Sequence, residues 1–549
     1  MPASTSSSTE EKDAQAAASA PGEAARSTYA GRRMLLVAAA GSFIISAISF
    51  VYFYSQGMTN AYGDGVAHLN IARKVVDYAG GSLWQRYIQI GSPWLPLHTV
   101  LMLPLVWSDS LWRTGIAGSI ISMLSFVLAT GSIYAMAARL YSSEPGWYSR
   151  GLPLISAGVF ALNPSVLYLQ STPMTETLFM AALASSSALL LRWSLNKTRL
   201  ALVCAAGAVS LTTLSRYEAW PAAALAVGLV ALLARGGARR RLIDSVSFLS
   251  IAAIGPAYWL WHNWAIYGNA LEFLTGPFSA RGLYLQNRIN LGWSNIFVGH
   301  FLLDMGLMLL TVAVCLGPMV LLLGAAGFVR LLVTRGATLL PYSPLLLLAV
   351  PFVFHVVSLY RGEIQLFPLS AFGLLNVRYG VPDLLAISLV VPSAAQILGR
   401  LGHGRAGLLV VGLLVVGQYA YMLSDGASQL AVYQEGFRNG VNARSARERL
   451  RVSEFLKEHP PGTPILMQTG ALGPVVMAGG LRFSDIIHEG TARWHLVVDA
   501  IPGDVLTVIV QTDDPLDRRI RESPTLSLDL NRDFAEEFSA GNIKVFERK

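Results

Sequence analysis

Charged side chains are scarce in this sequence. Asp, Glu, Lys and Arg make up only 13% of its 549 residues, roughly half the share found in soluble globular chains. Hydrophobic residues reach 53%, and the mean hydropathy is +0.49. That much apolar surface cannot be hidden inside a water-soluble domain. The composition therefore excludes a disordered chain and an ordinary soluble enzyme, and it predicts that most of the chain lies in lipid.

Cysteine is nearly absent, which excludes a disulfide-rich secreted scaffold. The two cysteines, Cys204 and Cys315, lie inside apolar runs and are expected to be small buried hydrophobes. Basic residues outnumber acidic ones, and the formal net charge is +8. Because many Arg and Lys residues flank apolar segments, we expect this excess to orient the chain and to contact membrane lipids. We expect no nucleic-acid partner.

Apolar stretches of membrane-spanning length follow an N-terminal segment, 1–33, that is expected to be a disordered cytoplasmic tail. About 11 stretches are long enough to cross a bilayer at about 1.5 Å per residue. They are residues 34–54, 113–140, 150–169, 174–192, 199–215, 219–235, 243–262, 300–328, 338–359, 379–398 and 406–424. The segment 93–107 is short and interrupted by proline, so we expect it to lie at the surface without spanning.

Clusters of Arg and Lys mark one side of these spans as cytoplasmic. They are Arg139 with Arg150, Arg192 with Lys197 and Arg199, Arg235 with Arg239 to Arg241, Arg330 with Arg335, and Arg400 with Arg405. The opposite side then carries three long loops, 55–112, 263–299 and 360–378, and the chain from 425 onward. We therefore expect a multi-pass cell-membrane protein with a cytoplasmic N-terminus and polar loops that face outward.

Residues 425–549 differ from the rest because mixed charges replace the apolar runs. The charge spacing of 443–458 predicts a helix, and apolar runs at 464–468, 505–511 and 542–546 predict strands. The predicted fold is thus an α-helical polytopic membrane protein with a membrane module at 34–424. Its C-terminal domain is expected to be a soluble, extracytoplasmic α/β domain.

The first outer loop places an acid and an imidazole on one helical face. Asp64 stands between two glycines where a helix is expected to begin, and His68 follows at the i, i+4 spacing. Asp64 can cap the helix or act as a general base at the membrane surface. Two ligands make a poor metal site, so metal binding is the weaker hypothesis here.

Other outer segments carry further ionisable candidates. They are Glu176 in NPSVLYLQSTPMTETLF, Arg216 and Glu218 in SRYEAW, Arg361, and Arg378 with Tyr379 in NVRYGVP. An ionisable group at the mouth of a span is by default a functional candidate, although helix dipoles and headgroup contact explain such residues equally well. Basic residues are usually concentrated on the cytoplasmic side of a membrane protein. Arginines on the outer side depart from this pattern, which suggests an anionic partner such as a lipid phosphate.

Two motifs of the C-terminal domain resemble ligand sites only superficially. Residues 469–473 follow a predicted strand but lack the G-x-G-x-x-G pattern, so we expect a strand-to-helix turn instead of a dinucleotide site. His488, Glu489 and His495 match no standard metal-ligand spacing. We expect no resident metal or other cofactor.

Four segments, in this order and on one side of the membrane, resemble the GT-C superfamily of membrane glycosyltransferases: YGDGVAHL, WLPLHTVLMLPLVW, NPSVLYLQSTPMTETLF and NVRYGVP. The similarity covers about 34–400 and points to the family of protein O-mannosyltransferases and lipid A aminoarabinose transferases. It implies that Asp64 occupies the place of the catalytic carboxylate and that Glu176 matches the acidic residue at the start of the fourth span. This chain has one Asp where many relatives carry a paired acidic motif, which favours a reaction without a metal.

The resemblance implies a hexosyltransferase that moves a sugar from a polyprenyl phosphate to a hydroxyl of a protein, lipid or glycan acceptor, with inversion. Asp64 would be the general base, and His68 and Glu176 would orient the acceptor or hold Asp64. The donor-phosphate ligands would be Arg378, Arg361 and Arg216, and the other cavity candidates Tyr62, Glu218 and Tyr379. A metal-dependent oligosaccharide transferase is the chief variant within this class.

Two hypotheses from other classes remain open. A transporter or flippase of a lipid-linked sugar would place ionisable groups and broken helices near the membrane midplane, often in repeated halves. This sequence places its polar groups in outer loops and has no apparent half-to-half repeat. A membrane-anchored binding or assembly protein would depend on the C-terminal domain alone.

Overall fold

Apolar helices form most of the structure, a computed structural model that describes residues 33–78, 82–145, 148–287, 296–369, 373–399, 404–498 and 500–549. Within those residues, six helical segments are long and apolar enough to cross a membrane. They are Arg33–Ser55, Ile116–Leu140, Glu176–Asn196, Ala238–Tyr267, Pro318–Tyr360 and Ala406–Val441. The chain is therefore a multi-pass membrane protein. The predicted N-terminal tail lies outside the described residues, apart from Arg33.

The longer helices coincide with the predicted apolar stretches, and shorter helices lie in the segments predicted as outer loops. The first nine are α1 (Arg33–Ser55), α2 (Gly63–Asp77), α3 (Leu83–Tyr87), α4 (Leu97–Met102), α5 (Asp109–Arg113), α6 (Ile116–Leu140), α7 (Tyr148–Ala161), α8 (Pro164–Leu169) and α9 (Glu176–Asn196). The next eleven are α10 (Arg199–Thr213), α11 (Ala219–Leu233), α12 (Ala238–Ala252), α13 (Ile254–Tyr267), α14 (Glu272–Thr275), α15 (Ala280–Asn287), α16 (Phe301–Leu316), α17 (Pro318–Arg335), α18 (Val350–Tyr360), α19 (Leu384–Gly399) and α20 (Gly404–Ala427). Segments Gly336–Ala349 and Val377–Gly380 form 3-10 turns.

Glycine and proline break some of the predicted spans. The stretch 300–328 becomes α16 and α17 because Gly317 has a φ of 92° and Pro318 begins a new helix. The stretch 338–359 starts as a 3-10 segment that contains Pro341 and Pro344, and it becomes α-helical only at Val350. Both breaks leave main-chain groups that neighbouring helices must satisfy.

Close packing between helices holds the bundle together. Lipid tails are as apolar as the side chains, so the hydrophobic effect does not drive helices together in a membrane. Gly327 of α17 lies against α19, and a Cβ there would be 2.0 Å from the Val390 carbonyl oxygen.

Cys315 is buried as expected, but Cys204 is exposed. The prediction for Cys204 was wrong because α10 turns it toward lipid, which is as apolar as the bundle interior.

The C-terminal domain is a mixed sheet with helices packed around it. A linker helix, α21 (Ala431–Gly436), leads into it from the membrane module. The helices of the domain are α22 (Arg444–Glu458), α23 (Thr469–Ala478), α24 (Pro515–Glu522) and α25 (Pro524–Asp533), and its strands are β1 (Ile465–Met467), β2 (Ile486–Ile487), β3 (Thr507–Gln511), β4 (Phe534–Ala540) and β5 (Ile543–Arg548). The order is β2-β1-β3-β5-β4. Strands β1, β2 and β3 are parallel, and β5 is antiparallel to β3 and β4. The predicted helix at 443–458 and the three predicted strands are confirmed.

This domain packs directly on the first loop of the membrane module. Apolar residues of α2 share one buried core with the domain: Val66, Leu69 and Ala72 meet Leu472 and Val475 of α23. Polar contacts reinforce the interface, since Arg113 donates to the main-chain oxygens of Met477 (2.6 Å) and Leu481 (2.9 Å). We call the end of the bundle that carries α2 and this domain the domain side.

Candidate active site

Pro173 brings the first loop and the start of α9 together on the domain side. A Cβ on Gly65 of α2 would be 2.9 Å from the Pro173 side chain, and one on Gly118 of α6 would be 2.3 Å from it. Only glycine permits this approach from both sides. The first turn of α2, which carries Asp64, is thereby set beside the first residue of α9, Glu176.

Arg378 lies at the centre of the site and is buried. Asn376 adopts a left-handed conformation (φ 55°) and starts the short 3-10 turn that carries Arg378. Each guanidinium nitrogen of Arg378 then donates to a different carboxylate: Nη2 to Asp64 Oδ2 (2.5 Å), Nε to Glu176 Oε1 (3.0 Å) and Nη1 to Glu435 Oε1 (3.1 Å). A planar guanidinium suits such a triple contact.

Aromatic rings cover the faces of the same guanidinium. The Cζ atom of Arg378 lies 5.1 Å from the ring centroid of Tyr62 and 5.2 Å from that of Tyr379, within the range of cation–π contact. Burial alone would lower the pKa of Arg378, but Asp64 and the other carboxylates raise it well above its usual range. Arg378 is therefore a fixed positive charge.

A second arginine extends the network away from Asp64. Arg216 donates from Nη1 to Glu176 Oε1 (3.0 Å) and from Nε to Glu218 Oε1 (2.8 Å). His355 Nε2 lies 3.2 Å from Glu218 Oε1, and the His355 ring stacks on Tyr379 at 4.9 Å. Burial acts to raise the pKa of Glu218, but Arg216 and His355 outweigh it and bring that pKa down to about 2. Acids and bases thus alternate from Asp64 to His355.

Asp64 differs from the other carboxylates of the network in its exposure. The Glu176, Glu435 and Glu218 side chains are 1%, 3% and 4% exposed, whereas that of Asp64 is 50% exposed. Its Oδ2 atom is held by Arg378, while Oδ1 has no hydrogen-bond partner among the described residues. Asp64 is therefore the carboxylate of this network that a substrate can reach.

Comparisons with known proteins identify this architecture. No family model and no curated protein sequence matches the chain. ArnT from Cupriavidus metallidurans, solved with undecaprenyl phosphate, is similar at a TM-score of 0.52 and 14% identity, with 92% of this chain and 97% of that chain covered. The chain has the fold of ArnT, which confirms its resemblance to the GT-C glycosyltransferases.

Two further GT-C structures come from Archaeoglobus fulgidus. Its oligosaccharyltransferase in complex with Zn and sulfate gives a TM-score of 0.51 at 12% identity, with 93% of this chain and 73% of that chain covered. Its oligosaccharyltransferase AglB, in complex with an inhibitory peptide and a dolichol-phosphate, gives 0.51 at 12% identity, with coverage of 88% and 70%. These similarities extend over the C-terminal domain as well as the bundle.

The GT-C fold brings most of the predicted site residues into one network. Its predicted members are Asp64, Glu176, Arg378, Arg216, Tyr62, Glu218 and Tyr379. Arg361 lies outside it, because its half-exposed side chain pairs with Glu363 at 2.8 Å. Two members were missed, His355 and Glu435. An ionisable residue inside a predicted span is a signal that points to His355.

His68 lies beside the network, one turn after Asp64 on α2. Its ring packs 4.5 Å from the ring of Trp94 and edge-on to that of His98 at 5.4 Å. Burial, with a smaller contribution from Arg216, lowers the pKa of His68 to about 3. The ring is therefore neutral, and its buried Nδ1 atom has no hydrogen-bond partner among the described residues.

An arginine supplies the positive charge within the carboxylate cluster of the site. The three carboxylates that converge here already share the guanidinium of Arg378. In the part of the chain that the structure describes, no group of three or more His, Cys, Asp or Glu side chains could hold a metal. Glu489 of the C-terminal domain accepts instead from the main chain (2.9 Å) and hydroxyl (2.6 Å) of Thr469. It belongs to the contact with Lys74 of α2.

Proposed function

We propose that this protein is a glycosyltransferase that moves a sugar from a polyprenyl-phosphate donor to an acceptor hydroxyl. The observation that carries the proposal is the half-exposed carboxylate of Asp64, fixed by the buried Arg378 at one end of a GT-C membrane bundle. The solved structures of ArnT and AglB hold undecaprenyl phosphate and dolichol-phosphate, which supports a lipid-phosphate donor. AglB also binds an inhibitory peptide, which supports a peptide as one of the protein, lipid and glycan acceptors.

In the proposed reaction, Asp64 is the general base. Its Oδ1 atom takes the proton of the acceptor hydroxyl as that oxygen attacks the anomeric carbon. The bond between this carbon and the phosphate oxygen breaks with inversion, and the lipid phosphate leaves with the bonding electrons. General-base catalysis of this kind contributes about 10² to 10⁴ in rate. His68 and Glu176 would orient the acceptor and the network, respectively.

The donor phosphate is better assigned to Arg216 and Arg361 than to Arg378. Three carboxylates surround Arg378, and their charge would repel a phosphate placed against it. Arg216 pairs with two carboxylates, those of Glu176 and Glu218, but its Nη2 atom has no partner among the described residues. Arg361 pairs with Glu363 and is half-exposed at the end of α18. Arg378 is then a positioning residue for Asp64.

The orientation of the protein in the membrane is inferred from the Arg and Lys clusters that flank the spans on one side. We propose about 11 spans, a cytoplasmic N-terminus and an extracytoplasmic domain side. In support, Arg335 at the end of α17 pairs with Glu144 in the turn after α6 (2.8 Å), far along the bundle from Asp64. Apart from His355 of α18, the site network also lies among loop residues and helix ends, which favours a transferase over a transporter with midplane charges.

Replacing Asp64 by Asn tests the proposal. The variant keeps the size of the side chain and removes the base, so transfer should fall by about 10² to 10⁴. The assay follows release of lipid phosphate from a polyprenyl-phosphate sugar in proteoliposomes. Asp504→Asn is the control, because Asp504 lies in an exposed ion pair with Arg493. Full activity of the Asp64 variant would remove Asp64 from the mechanism.

A further inference from the structure

A buried glutamate lies in the linker that joins the last membrane helix to the C-terminal domain. Glu435 belongs to α21, which is followed by a π-helical turn, Phe437–Val441. Only 2% of Glu435 is exposed. A carboxylate is hardly ever buried to this extent unless its oxygens are paired, so its partners indicate why it is there.

Both oxygens of Glu435 are paired with segments of the active site. Oε1 accepts from the main-chain nitrogen of Asn376 (2.6 Å) and from Arg378 Nη1 (3.1 Å). Oε2 accepts from the main-chain nitrogen of Val377 (3.1 Å) and from the Tyr62 hydroxyl (3.2 Å), whose proton it shares with the main-chain oxygen of Val432 in the same linker helix (2.6 Å). One side chain thereby fixes the turn that presents Arg378 and the tyrosine that immediately precedes α2.

Those two segments are the two sides of the Asp64–Arg378 pair. Tyr62 is the N-terminal flanking residue of α2, and Asp64 lies in the first turn of that helix. Arg378 holds Asp64 at 2.5 Å. We infer that Glu435 is a positioning residue for the transfer reaction, which sets the Asp64 carboxylate through Arg378 and Tyr62. The inference rests on the proposed function.

Glycines let the linker reach this position. Gly436 and Gly440 face Ala61, the residue before Tyr62. A Cβ on Gly440 would be 1.6 Å from the Ala61 carbonyl oxygen, and one on Gly436 would be 2.6 Å from the Tyr168 hydroxyl. Any larger residue at Gly440 must push the linker, and Glu435 with it, away from the site.

Through Glu435, the C-terminal domain takes part in the reaction without any contact with substrate. Glu435 follows α20 and precedes the domain, and the domain is itself fixed to α2 by Lys74, which donates to Thr469 Oγ1 at 2.6 Å. The way the domain packs on α2 therefore determines where Glu435 lies. Glu435 acts through Arg378, so its loss should affect kcat more than donor binding.

Glu435→Gln removes the charge at constant size and provides the test. We expect kcat to fall by about 10-fold to 100-fold, with the donor KM changed by less than about threefold. Glu435→Asp, which keeps the charge, should recover part of the rate, and Gly440→Ala should lower kcat without touching the carboxylate. The control is Glu536→Gln, which breaks an exposed pair with Lys544 and should act within about twofold.

Hydrogen exchange of the purified full-length protein gives a readout that is independent of activity. Glu435→Gln should speed exchange in 58–69 and 374–381 by about tenfold or more, because both segments lose a bond that holds them, whereas Glu536→Gln should not. Wild-type rates and exchange in Glu435→Gln would overturn the inference. If the wild-type protein transfers no sugar from lipid-phosphate donors, the proposed function fails, and the exchange data still decide the positioning role.

Discussion

Replacing Arg378 by Lys distinguishes a residue that positions Asp64 from one that binds the donor phosphate. The guanidinium reaches Asp64, Glu176 and Glu435 from three different nitrogens, at 2.5, 3.0 and 3.1 Å. A lysine carries its charge on one nitrogen at the end of a flexible chain, so it cannot hold three carboxylates in the same plane. The variant therefore keeps the charge of the site and loses its geometry.

The size of the effect follows from the number of bonds lost. At least one hydrogen bond between charged groups disappears, and each is worth about 1.5–3 kcal/mol. At about 1.4 kcal/mol for each factor of ten, kcat should fall by about 10-fold to 100-fold. The donor KM should change little, because Arg378 is buried behind the exposed Asp64.

Initial rates of lipid-phosphate release, measured over a range of donor concentrations in proteoliposomes, separate kcat from KM. Arg444→Lys is a matched control, since the Arg444 side chain is almost fully exposed and pairs with Glu448 on the surface. It should change the rate by less than about twofold. A donor KM that rises at unchanged kcat would refute the positioning role and return Arg378 to the phosphate site. Wild-type kinetics would refute both assignments.

Two further predictions concern pH and metal. Because the pKa of His68 is about 3 in the folded protein and 6.5 is its ordinary value, only the unfolded chain gains this proton as the pH falls from 6.5 toward 3. Lowering the pH from about 7.5 to about 5.5 should therefore cost about 1 kcal/mol through this residue. The fall in Tm over that interval should be smaller in His68→Asn; an equal fall would contradict the assignment. EDTA should leave lipid-phosphate release within about twofold of the untreated rate, because Arg378 supplies the charge opposite the carboxylates; a loss that Mn²⁺ restores would reveal a metal-dependent reaction.

Which predicted site residues lie close together was largely predictable, because local composition indicates on which side of the membrane each polar segment lies. Apolar length marks the spans, and Arg clusters mark one side of them. Every polar segment on the other side must then meet at one end of the bundle. Asp64 and Arg378 are 314 positions apart in the chain, yet the alternation of spans is enough to predict that they share a surface.

The pairings within that surface were not predictable, because they depend on contacts between distant segments. Nothing local distinguishes Arg378, with its three carboxylates, from the half-exposed Arg361, which has a single carboxylate partner. Sequence therefore assigned both to a phosphate, and only the geometry separates them. Glu435 was missed for the same reason, since a glutamate just beyond a span predicts a solvated charge.

The way the C-terminal domain is attached argues against the hypothesis that it works alone. Its α23 completes the apolar core around Val66 and Leu69 of α2, the helix that carries Asp64. Without the domain and its linker, that apolar face would be exposed and Arg378 would lose the carboxylate of Glu435. An exposed apolar face and an incomplete buried ion-pair network are both costly. We therefore expect the membrane module to need the domain in order to form the candidate site.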